Sequence, residues 1–167
     1  MTRCDLNLGF IGLGAIGRPM AANLCQAGFR LNVHTRSRSA ETAPELAGSR
    51  SCASPAEAAD AVDVLLICVS DDQAVETVLF GSDGAASTLR PGSVVVDCST
   101  IAPATAMACA KRLAQRGINY LDAPVTGGTE GAKAGTLTLL VGGESTAVAC
   151  VRPVLEVIGS TIHHFGP

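Results

Sequence analysis

An apolar run, Leu6–Leu13, leads into three glycines spaced Gly12-Leu13-Gly14-Ala15-Ile16-Gly17, and Arg18–Ala27 follows at helical spacing with Met20, Leu24 and Ala27 on one face. Gly28 supplies a C-terminal stop. Few folds accommodate a buried strand, a tight glycine turn and a helix in that order. Gly12 suits the turn, Gly14 lets the backbone approach a ligand, and Gly17 allows close packing of helix on strand. The helix start then offers unpaired N–H groups and a positive dipole end to an anion. A P-loop is excluded, because no Gly-Lys-Ser/Thr follows.

The rest of the chain repeats this alternation. Arg30–Thr35 reads as a strand, Arg50–Ala53 as a weaker one, and Pro55–Ala61 as a short helix with Ser54 as its cap. Val64–Val69 is six apolar residues in succession, the pattern of a strand buried on both faces. Asp71–Phe80 follows as a helix, Ser93–Asp97 as a strand, and Ala102–Arg116 as the longest helix, stopped by Gly117. Asn119–Ala123 and Leu137–Val141 are strands separated by a glycine-rich loop, Ser145–Ile158 is a last helix, and Thr161–Phe165 a last strand. The expected fold class is α/β: a doubly wound, mostly parallel Rossmann sheet in a single domain over residues 1–167.

Composition narrows the partners. Hydrophobic residues make up 47% and charged residues 16% of the 167, with a net charge of −3. With no basic stripe, no Trp and one Tyr, nucleic acid is not an expected partner. The low charge, and the apolar face of Ser145–Ile158, predict an open surface that something else covers. Seven cysteines (Cys4, Cys25, Cys52, Cys68, Cys98, Cys109 and Cys150) form no C-x-x-C pair, so neither a disulfide framework nor a metal site is expected. Reduced, buried thiols point to a reducing compartment, and no run reaches the roughly 20 apolar residues of a membrane helix. The expected location is cytoplasmic.

The second strand bears on the nucleotide. An NAD site usually has Asp or Glu at its end for the ribose 2′-hydroxyl. Here the stretch reads His34-Thr35-Arg36-Ser37-Arg38, with no acid. Two guanidiniums flanking a hydroxyl suit a 2′-phosphate, so NADP is expected, with NAD less favoured. The missing acid also argues against an S-adenosylmethionine methyltransferase. A solvated basic turn is the alternative, and His34 reads as a packing or surface residue.

Gly12-Leu13-Gly14-Ala15-Ile16-Gly17-Arg18-Pro19-Met20-Ala21-Ala22-Asn23-Leu24 resembles the N-terminal signature of the β-hydroxyacid dehydrogenases. Asp122-Ala123-Pro124-Val125-Thr126-Gly127-Gly128 is similar to that family's substrate-loop motif, continued by Gly131-Ala132, Gly135-Thr136-Leu137 and Val141-Gly142-Gly143. The resemblance implies cofactor contacts at Gly12, Leu13, Gly14, Ala15, Ile16 and Gly17, at Thr35, Arg36, Ser37 and Arg38, and at Val69, Ser70 and Thr100. It also implies that Thr126, Gly127 and Gly128 hold the carboxylate of a small substrate through a hydroxyl and backbone N–H groups. Ser is usual at position 126, and Ile16 replaces the usual Met.

The family's catalytic lysine follows a glycine-rich segment beyond Pro167, and neither Lys111 nor Lys133 matches it. The expectation is therefore a cofactor-binding half without a catalytic residue of its own and without the family's helical C-terminal domain. In the full-length enzyme, expected to be a homo-oligomer, hydride would pass between NADP(H) and a small 3-hydroxy acid or semialdehyde. The alternative is a non-catalytic NADP-binding or scaffold module.

Overall fold

The computed structural model describes residues 6–167; Cys4, among the thiols read as buried, lies outside them. The elements run β1 (Asn7–Ile11), α1 (Gly17–Gln26), β2 (Arg30–His34), β3 (Arg50–Ser51), α2 (Pro55–Ala59), β4 (Val64–Ile67), α3 (Asp72–Phe80), β5 (Val94–Asp97), α4 (Pro103–Ala114), β6 (Asn119–Asp122), β7 (Val125–Thr126), α5 (Gly128–Ala134), β8 (Leu137–Val141), α6 (Ser145–Ile158) and β9 (Gly159–His164). Six strands form one sheet in the order β3-β2-β1-β4-β5-β6, and every pair in it is parallel. This is the doubly wound Rossmann order, whose switch point lies between β1 and β4.

Period-2 alternation on buried strands gives the sheet two cores. Val64 and Leu66 of β4 face a cluster with Met20 and Leu24 of α1 and Val151 and Leu155 of α6. Leu65 and Ile67 face the other cluster, with Ala58 of α2, Val75 and Leu79 of α3 and Leu113 of α4. Truncating a fully buried Leu such as Leu66 costs about 2–5 kcal/mol.

Four expectations need correction. The strands after β6 do not extend the parallel sheet: β7, β8 and β9 make a separate three-stranded sheet, antiparallel between β7 and β8 and parallel between β8 and β9. The glycine-rich loop contains a helix, α5, closed by Gly135 in the left-handed conformation. The longest helix is α6, at 14 residues, not α4, at 12. The apolar face of α6 is not open, because Val148, Val151, Val154, Leu155 and Ile158 are buried with Leu137, Leu139 and Val141 of β8.

Candidate nucleotide site

Register places the site. The last residues of five strands, His34, Ile11, Ile67, Asp97 and Asp122, stand in one row across the sheet. The next N–H groups continue the ladder: Gly12 to the His34 carbonyl (2.9 Å), Cys68 to Ile11 (2.9 Å), Cys98 to Ile67 (2.7 Å) and Ala123 to Asp97 (2.8 Å). All the loops that leave these strands therefore gather at one edge. Gly12 has φ +100° there, and a Cβ on it would fall 2.1 Å from the Cys68 carbonyl oxygen. A Cβ on Gly17 would fall 1.9 Å from the Gly12 oxygen, so helix and turn approach as only glycine allows. Gly14 differs. It is exposed, and an added Cβ would meet no atom within 4 Å. Packing within the fold therefore does not require glycine at position 14, which lines the cleft at the switch point.

A cleft of about 690 Å³ opens at the switch point, lined by Ile11, Gly12 and Gly14, by His34, Thr35, Arg36 and Ser37, by Cys68, Val69, Ser70 and Asp71, and by Gln73, Ala74, Thr77 and Val78 of α3. Helix α1 starts beside it with no side chain capping its N-terminus, so its first N–H groups suit a diphosphate. Leu13 is buried, Ile16 half-buried and Ala15 exposed; these three and Gly17 shape the turn rather than line the cleft.

The end of β2 is ordered by a residue that the sequence did not single out. Glu41 is buried; it accepts the Thr35 N–H at 2.9 Å and the Arg38 guanidinium at 3.0 Å. Thr35 Oγ1 accepts the Leu13 N–H at 3.4 Å, tying the two loops together. Arg36 lines the cleft, whereas Arg38 is turned onto Glu41. His34 is buried, its Nδ1 3.0 Å from the Cys52 carbonyl oxygen. The spacing of Arg38 and Glu41, three apart, was the available signal.

A second unforeseen group lies under β5. Asp97 is fully buried; it accepts the Tyr120 hydroxyl at 2.7 Å and the Ser99 N–H at 2.9 Å. The Ser99 hydroxyl in turn accepts the Val69 N–H at 3.0 Å, fixing the strand end that carries Val69 and Ser70. Burial pushes the Asp97 carboxyl above the ordinary range, although its hydrogen bonds pull the other way. Burial raises Asp122 as well, with the Asp97 charge adding to it. Burial also pushes the Cys68 thiol up to about 11. A lone acid closing the run Val94-Val95-Val96 marks Asp97 in the sequence.

Thr100 is exposed just past this network and does not line the cleft. Thr126, Gly127 and Gly128 are exposed at the junction of β7 and α5, with φ +131° at Gly127 and +63° at Gly128. The cleft does not include them; α5 is held beside α1 by an Asn23 side-chain donation to the Ala132 carbonyl at 2.9 Å. A groove of about 420 Å³ between these helices brings Ala15 of the glycine turn together with Thr129 and Lys133. Lys133 pairs with Glu130 at 2.8 Å, and Lys111 is exposed on α4. Among the described residues no three His, Cys, Asp or Glu converge as a metal site, and no helix is long and apolar enough to cross a membrane.

Residues 7–166 match the family described as the NAD binding domain of 6-phosphogluconate dehydrogenase. The chain is 42% identical over 160 residues to the NAD-dependent L-serine dehydrogenase of Pseudomonas aeruginosa, covering 96% of this chain and 54% of that protein. It is 40% identical over 157 residues to the 2-hydroxy-3-oxopropionate reductase of Escherichia coli, covering 94% and 53% respectively. The solved structure of Psf3 in complex with NADP+ and 2-OPP superposes with a TM-score of 0.89 at 36% identity, over 95% of this chain and 56% of that one. The chain thus spans about half the length of the relatives it matches.

Proposed function

Because this chain belongs to the family of the NAD-binding domain of 6-phosphogluconate dehydrogenase and matches the nucleotide-binding part of the hydroxyacid dehydrogenases, we propose that its cleft takes NADP(H) in preference to NAD(H). In this reading the turn Gly12–Gly17 and the start of α1 hold the diphosphate, and Thr35, Arg36 and Ser37 hold the 2′-phosphate. Val69 and Ser70 lie against the cofactor, and Thr100 borders the nicotinamide and the substrate. The carrying observation is Arg36, open to the cleft beside Thr35 and Ser37, just past a strand that ends without an acid. Arg presents a fork of donors that matches phosphate.

The substrate in this reading is a small 3-hydroxy acid or the matching semialdehyde, its carboxylate held by the Thr126 hydroxyl and the N–H groups of Gly127 and Gly128. The bound nicotinamide supplies hydride acceptance or donation at the carbinol carbon. Neither Lys111, exposed on α4, nor Lys133, paired with Glu130, lines the cleft; in this reading the proton donor lies outside these 167 residues, and the protein is a cytoplasmic homo-oligomer. The same two positions favour a second reading, a non-catalytic NADP-binding or scaffold module.

Calorimetric titration with both cofactors tests the proposal. NADP(H) should bind about 10- to 100-fold tighter, the worth of a charge-assisted contact of about 1.5–3 kcal/mol; equal affinities would reject it. NADPH oxidation with small semialdehydes separates the two readings. This chain alone should stay far below an ordinary turnover of about 10 s⁻¹, and only the full-length enzyme should reach it.

A further inference from the structure

Asp71 and Arg36 are walls of the same cleft, one at the start of α3 and one just past β2. The Asp71 carboxylate is fixed there: Oδ1 accepts the Ala74 N–H at 2.8 Å as the cap of α3, and Oδ2 accepts the Ser70 hydroxyl at 2.7 Å. The Ser70 hydroxyl and the Ala74 N–H hold its carboxyl below the ordinary value, and the Arg36 charge acts in the same direction. At neutral pH the cleft therefore carries a fixed negative charge within electrostatic reach of Arg36. Arg36 is the one Arg or Lys among the lining residues.

These charges act differently on the two cofactors. A ribose 2′-hydroxyl is neutral and can donate to a carboxylate. A 2′-phosphate carries close to two negative charges, which Arg36 attracts and a nearby carboxylate repels. We propose that Asp71 is a specificity-determining residue that opposes Arg36 and limits the preference of this cleft for NADP(H) over NAD(H). The proposal rests on the reading of the cleft as a nicotinamide dinucleotide site. The acid missing from the end of β2 is in this sense supplied from the facing helix.

The experiment compares the protein with Asp71→Asn and Asp71→Ser, both of which keep an acceptor for the α3 cap. Thermal melts verify that the fold is retained, and calorimetry gives Kd for NADP+ and NAD+ at low and high salt. Each variant should bind NADP+ about fivefold more tightly at low salt and should not tighten on NAD+. The gain should fade as ionic strength rises. A Kd ratio unchanged within about twofold, or an equal change for both cofactors, overturns the proposal. The parent's own ratio reports separately on NADP preference. Equal parent affinities with a shifted ratio in the variants uphold the role of Asp71 while rejecting that preference, and no binding of either cofactor to the parent ends both.

Discussion

Arg38 holds a left-handed backbone, φ 62°, a conformation costing a non-glycine residue about 1–3 kcal/mol. What offsets it is visible around Glu41, whose two carboxylate oxygens take the Thr35 N–H and the Arg38 Nε. Arg38 thus braces the loop while Arg36, two residues earlier, is left facing the cleft. The two arginines should separate under mutation. Arg36→Ala is expected to weaken NADP+ binding about 10- to 100-fold with little change in melting temperature. Arg38→Ala should lower the melting temperature and change the ratio of NADP+ to NAD+ affinity much less. Titrations and melts on both variants check this; a larger loss of NADP+ selectivity in Arg38→Ala would reverse the assignment.

At the scale of elements, the glycine turn joining β1 to α1 separates packing from ligand approach. Gly17→Ala puts a methyl 1.9 Å from the Gly12 oxygen, so α1 must shift, and both stability and cofactor affinity should fall. Gly14→Ala meets nothing, so the melting temperature should move by no more than the roughly 0.5 kcal/mol of a surface substitution. Its cofactor affinity should nevertheless drop at least about tenfold, since in the proposed binding mode the methyl stands where the diphosphate approaches. A Gly14→Ala protein that binds cofactor normally would remove the diphosphate from this turn. The turn was legible in sequence because glycine chemistry is local, and β4 because a continuous apolar run has one meaning in a parallel sheet. The second sheet was less legible. β8 alternates in burial, with Leu137, Leu139 and Val141 buried and Leu140 exposed, the mark of a sheet covered on one face only. Inside α5, Gly131 sits within a run whose helicity comes from packing against α1 rather than from propensity. Glu41 and the Asp97–Tyr120 pair were not singled out, since their roles depend on partners that only the folded chain brings near.

For the molecule as a whole, the sheet edge that gathers the loops also buries an acid, and this sets the sign of one pH effect. Asp97 is raised in the folded state by burial. Between the ordinary carboxyl value of about 3.9 and that raised value, the folded chain binds more protons than the unfolded one. Stability must then fall as pH rises through this window. The hydrogen-bonded Asp71 and Asp72, the first exposed and the second half-buried, are lowered and act oppositely, losing their contribution as pH falls through their folded values. The parent's melting curve mixes both signs, with Asp122 raised as Asp97 is, and Asp97→Asn removes the Asp97 contribution. Asn at 97 keeps an oxygen for the Ser99 N–H and an amide for the Tyr120 hydroxyl oxygen, so the network retains partners. The melting temperature of Asp97→Asn relative to the parent should therefore climb as pH rises from the ordinary carboxyl value of about 3.9 through the raised folded value and then level off, whatever constant offset the altered hydrogen bonds impose. Tyr120→Phe takes a hydrogen bond from the charged carboxylate and should push the Asp97 titration higher, moving the same climb to higher pH. A difference between Asp97→Asn and parent that stays flat across the range would mean that Asp97 titrates as an ordinary carboxylate, and burial under β5 would then not govern its charge.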